Sequence, residues 1–542
     1  MKKILFILII VLAFILRFWR LGDYPALNAD EAAIGYNAYS LIQTGKDEHG
    51  NTWPIHFQSF NDYKPGLYFY VVLPFVKVLG LNEWAVRIPG ATLGVLTVLI
   101  IYLLTKELFK NEKISIFSAL FLAISPWHIH FSRGGWEVNL ATFLITLGVY
   151  LFLKGLKNPK YYMLSAITFS LSLYAYHVAR VVVPLLGLVL LIIYFKDIFI
   201  KKNLKILVIS FSLLVITILP LAKELVGPAG ISRAAGVGLF ADSGPLNRIN
   251  EQRGEHANFI SFIPMVLHNK AANYGLAFLE NWVSHYSGEF LFLSGDEIQR
   301  DKVPETGELY LFEIVTVLLG AIFLLKSSII NRKSVLLIFS WLLISPLASA
   351  LTFQSPHALR AHNMVIPITI ISAIGLNYLL SWLRKINLKF VICLLVIAIA
   401  WSFMRYAHMY WVHMSKEYPF SSQYGVKELV SYLNETVESR YKKAVVTNRY
   451  DQPYILFLFY LKYDPAKFQG EHTLTLRDQY GFSTVRSFGK YTFTSITNWD
   501  RTRENFRDYL IAGTDEEILP GTNVVKEIYG INGCKYFQVV AN

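Results

Sequence analysis

The chain contains only two cysteines and few charged residues for its length. Cys393 and Cys534 alone cannot provide a disulfide framework or a cysteine metal cluster. Charged residues make up 16% of the 542 residues, whereas a soluble domain is usually about a quarter charged. Hydrophobic residues make up 54% of the chain, and the mean hydropathy is +0.40. This composition, with its many long apolar runs, predicts a polytopic α-helical membrane protein.

The N-terminus lacks a small-residue cleavage site, although it otherwise has the pattern of a signal peptide. The stretch "MKKILFILIIVLAFILRFWRLG" combines a basic start with an apolar run, and Arg17, Trp19 and Arg20 follow that run. Such residues are typical of interfacial anchors. We therefore expect this segment to be retained as the first membrane span.

The apolar runs predict eleven membrane spans within a transmembrane domain of residues 1–405. Two long outer connections, residues 20–83 and 223–308, interrupt the spans. The first connection includes "LYFYVVLPFVKVLG" (67–80), which is too short to cross the bilayer and is expected to lie along its surface. The predicted spans lie at about 4–19, 84–105, 114–131, 137–153, 161–176, 181–196, 205–222, 309–325, 334–353, 363–382 and 389–405.

The lysine-rich connections between the spans set the predicted orientation. Five alternate connections are rich in lysine and poor in acids, which places them in the cytoplasm together with the N-terminus. They read "KELFKNEK", "KGLKNPK", "KDIFIKKNLK", "KSSIINRKS" and "RKINLK". The net charge of +13 therefore reflects cytoplasmic loops, and nucleic acid is not expected as a partner. With eleven spans, the C-terminus of this plasma-membrane protein is predicted to be extracytoplasmic.

Residues 406–542 leave the membrane and carry both helical and strand patterns. The stretches "GVKELVSYLNETV" and "PYILFLFYLKYD" are typical of helices, and "KKAVVTN", "DYLIAGT", "VVKEIYG" and "KYFQVVAN" are typical of strands. We predict a small extracytoplasmic α/β domain over these residues.

Two adjacent carboxylates, Asp30 and Glu31, lie in "PALNADEAAIGY" near the outer membrane surface. Asn28 followed by Glu31 fits a capping box, and Asp30 occupies the first helical turn, where the helix dipole favours an acid. A structural role is therefore one interpretation. Alternatively, a carboxylate in this position can accept a proton from a substrate hydroxyl or bind a cation.

Lys64 stands in a second unusual stretch, "NDYKPGLYFY" (61–70), directly before the apolar surface segment. It is either a lysine that extends its ammonium group to the interface or a cation directed at a lipid phosphate. Its neighbours Asp62 and Tyr63 are further candidate substrate contacts.

Histidine and arginine recur together in three short outer connections, which usually contain few cations. One connection would be explained by interfacial anchoring, but three together favour binding of a phosphate or pyrophosphate. Metal binding by these histidines is disfavoured, because His128 and His130 are two residues apart and no H-E-x-x-H motif is present. The connections are "PWHIHFSRGGWE" (with Arg133), "YAYHVAR" (His177, Arg180) and "SPHALRAHN" (His357, Arg360, His362).

The stretch "NWVSHYSGEFLFLSGD" (281–296) interleaves aromatic residues with His285, Glu289 and Asp296. The polar residues are either solvated loop charges or substrate contacts that include a second carboxylate. In the second case, the aromatic residues would pack against a sugar or an isoprenoid chain.

These stretches, in this order, resemble the GT-C glycosyltransferases, specifically the protein O-mannosyltransferase and aminoarabinose-transferase branch. The resemblance covers most of residues 15–380. The matching stretches are "LNADEAAIGYNAYSLIQTGKDEHG", "DYKPGLYFYVVLP", "WAVRIPGATLGVL", "FSRGGWEVNL", "YAYHVARVVVPLL", "HYSGEFLFLSGD" and "SPHALRAHNMVIPI".

The resemblance implies transfer of a sugar from a polyprenyl-phosphate donor on the outer face of a membrane. The catalytic acid of the family's first outer loop corresponds to Asp30 with Glu31. A lysine before a proline pair contacts the donor phosphate in the aminoarabinose branch, and Lys64 matches it, although the motif here reads Lys-Pro-Gly. The C-terminal domain does not resemble the sugar-binding repeat domain of eukaryotic protein mannosyltransferases, so the acceptor stays open. No cofactor is identified, and a divalent cation remains an option.

The residues agree with this chemistry. A glycosidase needs two carboxylates because its leaving group must be protonated, whereas a polyprenyl phosphate leaves already ionised. Such a site needs one base for the acceptor and fixed positive charge for the phosphate. We therefore expect an inverting single displacement. A lipid or glycan transporter is the alternative, but transporters favour sites at the membrane midplane and repeated halves. A glycan-binding membrane protein without activity is a further alternative.

Overall fold

The computed structural model describes residues 2–60, 62–227, 238–256, 262–327, 330–421, 423–439, 441, 443–476 and 483–542. The chain forms two compact units. The first contains residues 1–17, 92–132 and 137–406, and the second contains residues 18–91, 133–136 and 407–542. The first outer connection therefore belongs to the same compact unit as the C-terminal region. The Gly-rich start of the second outer connection lies largely outside the described residues.

The first unit is helical over its described residues. Its longer helices, including one that begins in the second unit, are Lys2–Phe18, Glu83–Phe109, Glu112–Ile124, Pro126–Arg133, Glu137–Gly155, Lys160–Ala175, Ala179–Ile198, Leu204–Leu225, Gly244–Gly254, Lys270–Ser284, Glu313–Lys326, Arg332–Ile344, Val365–Lys385 and Lys389–His408. Short helical segments are Lys201–Asn203, Leu239–Ala241, Phe262–Leu267, Glu289–Leu293, Gln299–Asp301, Leu347–Ala350, Ala358–Ala361 and His362–Met364.

Seven helices in the described part of the chain are long and apolar enough to cross a membrane, or eight if one bent pair is a single span. The bent pair is Glu112–Ile124 with Pro126–Arg133, which meet at 55°. It coincides with the predicted span 114–131. The predicted spans at 4–19, 161–176 and 309–325 coincide with helices of 17, 16 and 14 residues, which are short for a core of about 30 Å. The protein is thus a multi-helix membrane protein, and the number eleven stays a prediction.

The second unit begins with the segment that carries the adjacent carboxylates. It contains the helix Ala29–Thr44, the strands β1 (His56–Ser59) and β2 (Asp62–Pro65), and the apolar helix Leu67–Leu79. The two strands form an antiparallel hairpin in which Phe57 lies opposite Lys64. The sequence did not predict this hairpin.

The C-terminal part of the second unit is the predicted α/β region. Its strands are β3 (Lys443–Thr447), β4 (Thr473–Leu474), β5 (Val485–Phe488), β6 (Tyr491–Thr494), β7 (Tyr509–Gly513), β8 (Val524–Tyr529) and β9 (Lys535–Ala541). They form one sheet in the order β4-β5-β6-β3-β7-β9-β8, in which β3 runs parallel to β6 and β7 and the other pairs are antiparallel. The helical segments are Met409–His413, Met414–Glu417, Val426–Ser439, Pro453–Leu461, Pro465–Glu471 and Trp499–Asn505. Every predicted helix and strand of this region is present, and β4, β5 and β6 are additional.

The helix Ala29–Thr44 packs against the C-terminal region within the second unit. The Tyr36 hydroxyl donates a hydrogen bond of 3.1 Å to the carbonyl of Tyr463, and Gln469 donates one of 2.8 Å to the carbonyl of Asp47. A Cβ at Gly35 would lie 2.6 Å from the Phe459 ring, so a larger residue here would force a neighbouring side chain to move. The candidate catalytic helix is therefore held by the C-terminal region, which the sequence assigned to a separate domain.

Candidate functional site

The capping box predicted from the sequence starts the helix Ala29–Thr44. The Glu31 backbone N–H donates to the Asn28 side chain (3.0 Å), and the Asn28 backbone N–H donates to the Glu31 carboxylate (3.3 Å). These bonds satisfy two backbone donors that have no partner within the helix. Asp30 is not needed for this cap, although it lies in the first turn.

Glu31 is also half of a buried ion pair with Arg87. Arg87 Nε and Nη2 donate to the two carboxylate oxygens at 2.6 and 2.7 Å, and the Gly135 backbone N–H donates to the same carboxylate at 2.9 Å. Both side chains are buried. Arg87 also donates to the carbonyls of Leu21, Pro25 and Ala26. The pair therefore joins the start of the helix to the chain that precedes it, which is a structural role.

Asp30 forms an ion pair with Lys64, whose ammonium group donates to the Asp30 carboxylate. The side chains are 16% and 14% exposed, so both can be reached from solvent while most of their surface is covered. The Lys64 ammonium also lies 5.4 Å from the centre of the Phe60 ring. The two residues that the sequence singled out separately, 34 positions apart, are thus brought together in one place.

The hairpin and the helix after it position Lys64. Lys64 lies in β2 next to Pro65, and the following Gly66 donates its backbone N–H to the Ile55 carbonyl at 2.9 Å. A Cβ at position 66 would lie 2.8 Å from that carbonyl oxygen. Proline has no N–H and could not make this bond. The structure thus explains why the motif here reads Lys-Pro-Gly.

The neighbours of Lys64 follow the alternation of the strand. Tyr63 pairs with Gln58 across the hairpin and is half-buried, and Asp62 pairs with Ser59 at the end of β2. Because successive residues of a strand face opposite sides, Tyr63 lies on the face opposite to Lys64. The substrate contacts predicted for Asp62 and Tyr63 stay predictions.

Arg133 is buried in the second unit. Its guanidinium donates to the Trp19 and Tyr24 carbonyls at 2.7 and 3.1 Å and to the Tyr410 hydroxyl at 3.1 Å. It also lies 5.4 Å from the centres of the Tyr410 and Trp411 rings. These contacts are typical of an arginine that holds backbone carbonyls in place. The predicted phosphate contact stays a prediction.

Arg180 and Arg360 belong to the first unit. Arg180 is half-buried and contacts His177 Nδ1 at 2.9 Å and the Leu173 carbonyl at 3.3 Å. Arg360 donates to the Thr352 hydroxyl at 2.7 Å and to the Gln354 side chain at 3.2 Å. His177 and Arg180 are therefore in contact with each other. Phosphate binding by either arginine stays a prediction.

Three of the remaining candidates meet in the first unit. His285 is buried, and its Nε2 accepts a hydrogen bond from the His357 backbone N–H at 3.3 Å, while its Nδ1 lies 2.8 Å from the Asn281 carbonyl. Burial lowers the pKa of His285 to about 4, so this imidazole is neutral near pH 7. His357 Nδ1 lies 3.2 Å from an Asp296 carboxylate oxygen. Glu289, in contrast, is exposed and accepts a bond from the Ser294 hydroxyl.

Sequence reasoning missed Arg87 and Asp301. Asp301 completes a buried group with Asp296 and His357, whose possible ligand atoms all lie within 4.8 Å of one another. These three residues could hold a metal ion. Arg87 lies in the quoted stretch "WAVRIPGATLGVL". It is a charged residue near the start of a predicted span, and this could have indicated that it has a buried partner. No comparable signal marks Asp301.

Part of the chain matches a known family. Residues 63–220 match the model of the family described as dolichyl-phosphate-mannose-protein mannosyltransferase. An uncharacterized protein of Aquifex aeolicus (strain VF5) is 29% identical over 186 residues. That match covers 34% of this chain and 36% of the relative, so the chain spans about a third of the relative it matches.

Solved structures show a similar fold over most of the chain. ArnT from Cupriavidus metallidurans in its apo state has a TM-score of 0.54 at 12% identity, with 98% of this chain and 97% of ArnT covered. The same protein bound to undecaprenyl phosphate has a TM-score of 0.53 at 11% identity, with the same coverage. The oligosaccharyltransferase of Archaeoglobus fulgidus, in complex with Zn and sulfate, has a TM-score of 0.51 at 13% identity, with 84% of this chain and 61% of that chain covered. The chain therefore has a fold similar to those of ArnT and of this oligosaccharyltransferase.

Proposed function

We propose that this protein of the GT-C fold transfers a sugar from a polyprenyl-phosphate donor to an acceptor hydroxyl on the outer face of a membrane. The observation that carries the proposal is the pairing of Asp30 with Lys64 at the start of the helix Ala29–Thr44. A base and a cation are thereby placed side by side, near the membrane surface predicted from the sequence.

The two groups match the two requirements of the reaction. Asp30 takes the proton of the acceptor hydroxyl, while the acceptor oxygen forms a bond to the anomeric carbon of the sugar. The bond between that carbon and the phosphate oxygen breaks, and its electron pair leaves with the polyprenyl phosphate. A lysine ammonium has three N–H donors, so Lys64 can contact both the Asp30 carboxylate and a phosphate oxygen. Attack from the face opposite to the leaving group inverts the anomeric centre.

Glu31 is proposed as a supporting residue. Its carboxylate is held by Arg87 and by the Asn28 cap, so it fixes the helix start from which Asp30 projects. Further donor-phosphate contacts are proposed from the sequence for Arg133, Arg180, His357 and Arg360. Other substrate contacts are proposed for Asp62, Tyr63, His177, His285, Glu289 and Asp296.

The comparisons support the donor class. The matching family is described by its dolichyl-phosphate-mannose substrate, and ArnT of similar fold binds undecaprenyl phosphate. The proposal does not specify which sugar is transferred or which acceptor receives it. The proposal does include eleven spans, a cytoplasmic N-terminus and an extracytoplasmic domain over residues 406–542.

The direct test incubates the purified protein with a panel of radiolabelled polyprenyl-phosphate sugars. We expect consumption of one donor by the unchanged protein and its loss in Asp30→Asn. Asp23→Asn is the matched control, because it makes the same change at an exposed position of the same segment and should leave turnover unchanged. If no donor of the panel is consumed and labelled lipid instead crosses vesicles that contain the protein, the transporter alternative replaces this proposal.

A further inference from the structure

Asp296, Asp301 and His357 form a buried group that includes two of the substrate contacts proposed from the sequence, Asp296 and His357. Asp296 follows the segment Glu289–Leu293, Asp301 ends the segment Gln299–Asp301, and His357 precedes the helix Ala358–Ala361. The three side chains are 1%, 1% and 3% exposed. Their ligand atoms all lie within 4.8 Å of one another. Two stretches of chain about 60 residues apart thus place two carboxylates and an imidazole together.

The distances within the group fit ligands of one metal ion better than a direct ion pair. His357 Nδ1 lies 3.2 Å from Asp296 Oδ2 and 3.6 Å from Asp301 Oδ2. A tetrahedral ion with bonds of about 2.0–2.1 Å holds neighbouring ligand atoms about 3.3–3.4 Å apart. A charge-assisted hydrogen bond between the same groups would be shorter, about 2.7–2.9 Å.

The His357 imidazole gives a second, independent indication. Its Nδ1 is buried and, within the described part of the chain, makes no hydrogen bond of good geometry, although it lies 3.2 Å from Asp296 Oδ2. Buried polar atoms almost always have a partner, because an unsatisfied one costs about 1–3 kcal/mol. This nitrogen points at two carboxylate oxygens, and an ion between the three atoms would satisfy it.

The charges point to the same ligand. Two ionised carboxylates buried side by side repel each other, and burial of each is costly unless it is paired. One divalent cation would balance both carboxylates.

We propose that Asp296, Asp301 and His357 bind one divalent transition-metal ion, with Zn²⁺ as the expected species. Calcium and magnesium prefer oxygen ligands alone, whereas an imidazole with two carboxylates suits zinc and its neighbours. Three protein ligands leave the fourth position of a tetrahedral zinc ion for a water molecule or another group. The ion would tie the loop of Asp296 and Asp301 to the segment that begins at His357 and carries Arg360 three residues later.

The test measures metal directly and does not depend on transferase activity. The full chain is purified in detergent without added chelator, and its metal content is measured by mass spectrometry. We expect about one zinc ion per chain and loss of most of it in Asp301→Asn and in His357→Ala. Glu297→Gln is the matched control, because Glu297 is the exposed neighbour of Asp296 and should retain the ion.

A second measurement keeps the test decisive if a variant does not fold. The unchanged protein is stripped with a chelator, and Zn²⁺ or Co²⁺ is added back. We expect a higher apparent melting temperature with Zn²⁺, because a ligand that binds only the folded state stabilises it. With Co²⁺ we expect the intense visible absorption bands of a tetrahedral site. Metal-free protein that neither ion stabilises would overturn the proposal. So would equal metal content in Asp301→Asn and Glu297→Gln.

Discussion

Arg87 holds both oxygens of the Glu31 carboxylate through parallel hydrogen bonds of 2.6 and 2.7 Å. The sequence predicted Asp30 as the base and Glu31 as a capping or assisting residue, and this bond pair adds a buried partner to the cap that Glu31 forms. Glu31 is buried and bonded on all sides by the cap, by Arg87 and by the backbone of Gly135. Asp30, its neighbour, is partly exposed and paired with Lys64. We therefore propose Asp30, rather than Glu31, as the base.

Asp30→Asn should abolish transfer while the protein stays folded. The amide keeps the size of the side chain but cannot accept the proton, and loss of a general base typically costs about 10²–10⁴ in rate. The helix cap is unaffected, because Asn28 and Glu31 form it. Donor consumption and thermal unfolding of the purified variant would be measured together. Near-normal turnover with donor in excess would move the base role to Glu31 or to a loop acid such as Glu289.

Glu31→Gln should show the opposite result, mainly a loss of stability. It would leave the Arg87 charge buried without its partner, and breaking a buried ion pair typically costs about 3–5 kcal/mol. The measurement is the apparent melting temperature of the variant beside that of Asp30→Asn. If Glu31→Gln is as stable as the unchanged protein but inactive, Glu31 takes part in the chemistry.

Arg360 is the arginine of the first unit for which we expect the largest effect on the donor. Arg360→Ala should lower kcat/KM for the donor by about 10–100-fold, the value of one hydrogen bond to a charged group. Arg360→Lys should not restore activity, because lysine cannot reproduce the planar fork that contacts Thr352 and Gln354. Arg405→Ala is the control, since Arg405 forms an exposed pair with Glu305 and should tolerate the change. Full activity of Arg360→Lys would identify Arg360 as an interfacial anchor only.

The sequence predicted those features whose causes are local. The capping box depends on four consecutive residues, Asn28 to Glu31. The C-terminal helices and strands follow from the periodicity of their own residues. Lys64 was singled out because an isolated lysine precedes Pro65 and an apolar run. In each case the nearest few residues decide the structure.

The features that the sequence could not predict depend on distant partners. Arg87 lies 56 residues after Glu31, and nothing near Glu31 indicates which of the two carboxylates it binds. Asp301 acquires a possible role only because the fold brings His357 beside it. The packing of Tyr36 against Tyr463 likewise joins segments that the sequence had placed in different domains. Such long-range contacts are set by packing and carry no local pattern.

The orientation of the chain in the membrane gives a further prediction. Because five alternate connections are rich in lysine, the C-terminal domain should be extracytoplasmic. A reporter fused after Asn542 should therefore be active if it folds only outside the cytoplasm, and a cytoplasm-specific reporter at the same position should be inactive. The reverse pattern would mean that the number of spans is even. The side of the membrane on which Asp30 and Lys64 lie would then have to be assigned from that different topology.

Glu48 is a buried carboxyl in the first outer connection with no role in the proposed reaction. It is fully buried, and burial, together with the nearby Asp47 carboxylate, raises the pKa of Glu48 from 4.5 to about 8. Its backbone N–H donates to the Asn37 side chain at 2.9 Å, so the loop is fixed to the helix Ala29–Thr44. The neutral acid is therefore the form that the folded state favours.

The contribution of Glu48 to the stability of the protein should consequently fall as the pH rises from about 4.5 to about 8. In this range the unfolded chain has already lost the Glu48 proton while the folded chain retains it, so each step upward in pH favours unfolding. The loss is on the order of a few kcal/mol, because one pKa unit corresponds to about 1.4 kcal/mol. Glu48→Gln cannot ionise and should remove this part of the pH dependence, which a comparison of apparent melting temperatures at about pH 5 and pH 9 would measure. Glu428→Gln, at a 51% exposed side chain of the same unit, is the control and should keep the dependence of the unchanged protein. An identical pH dependence in Glu48→Gln and in the unchanged protein would mean that Glu48 is ionised in the folded state.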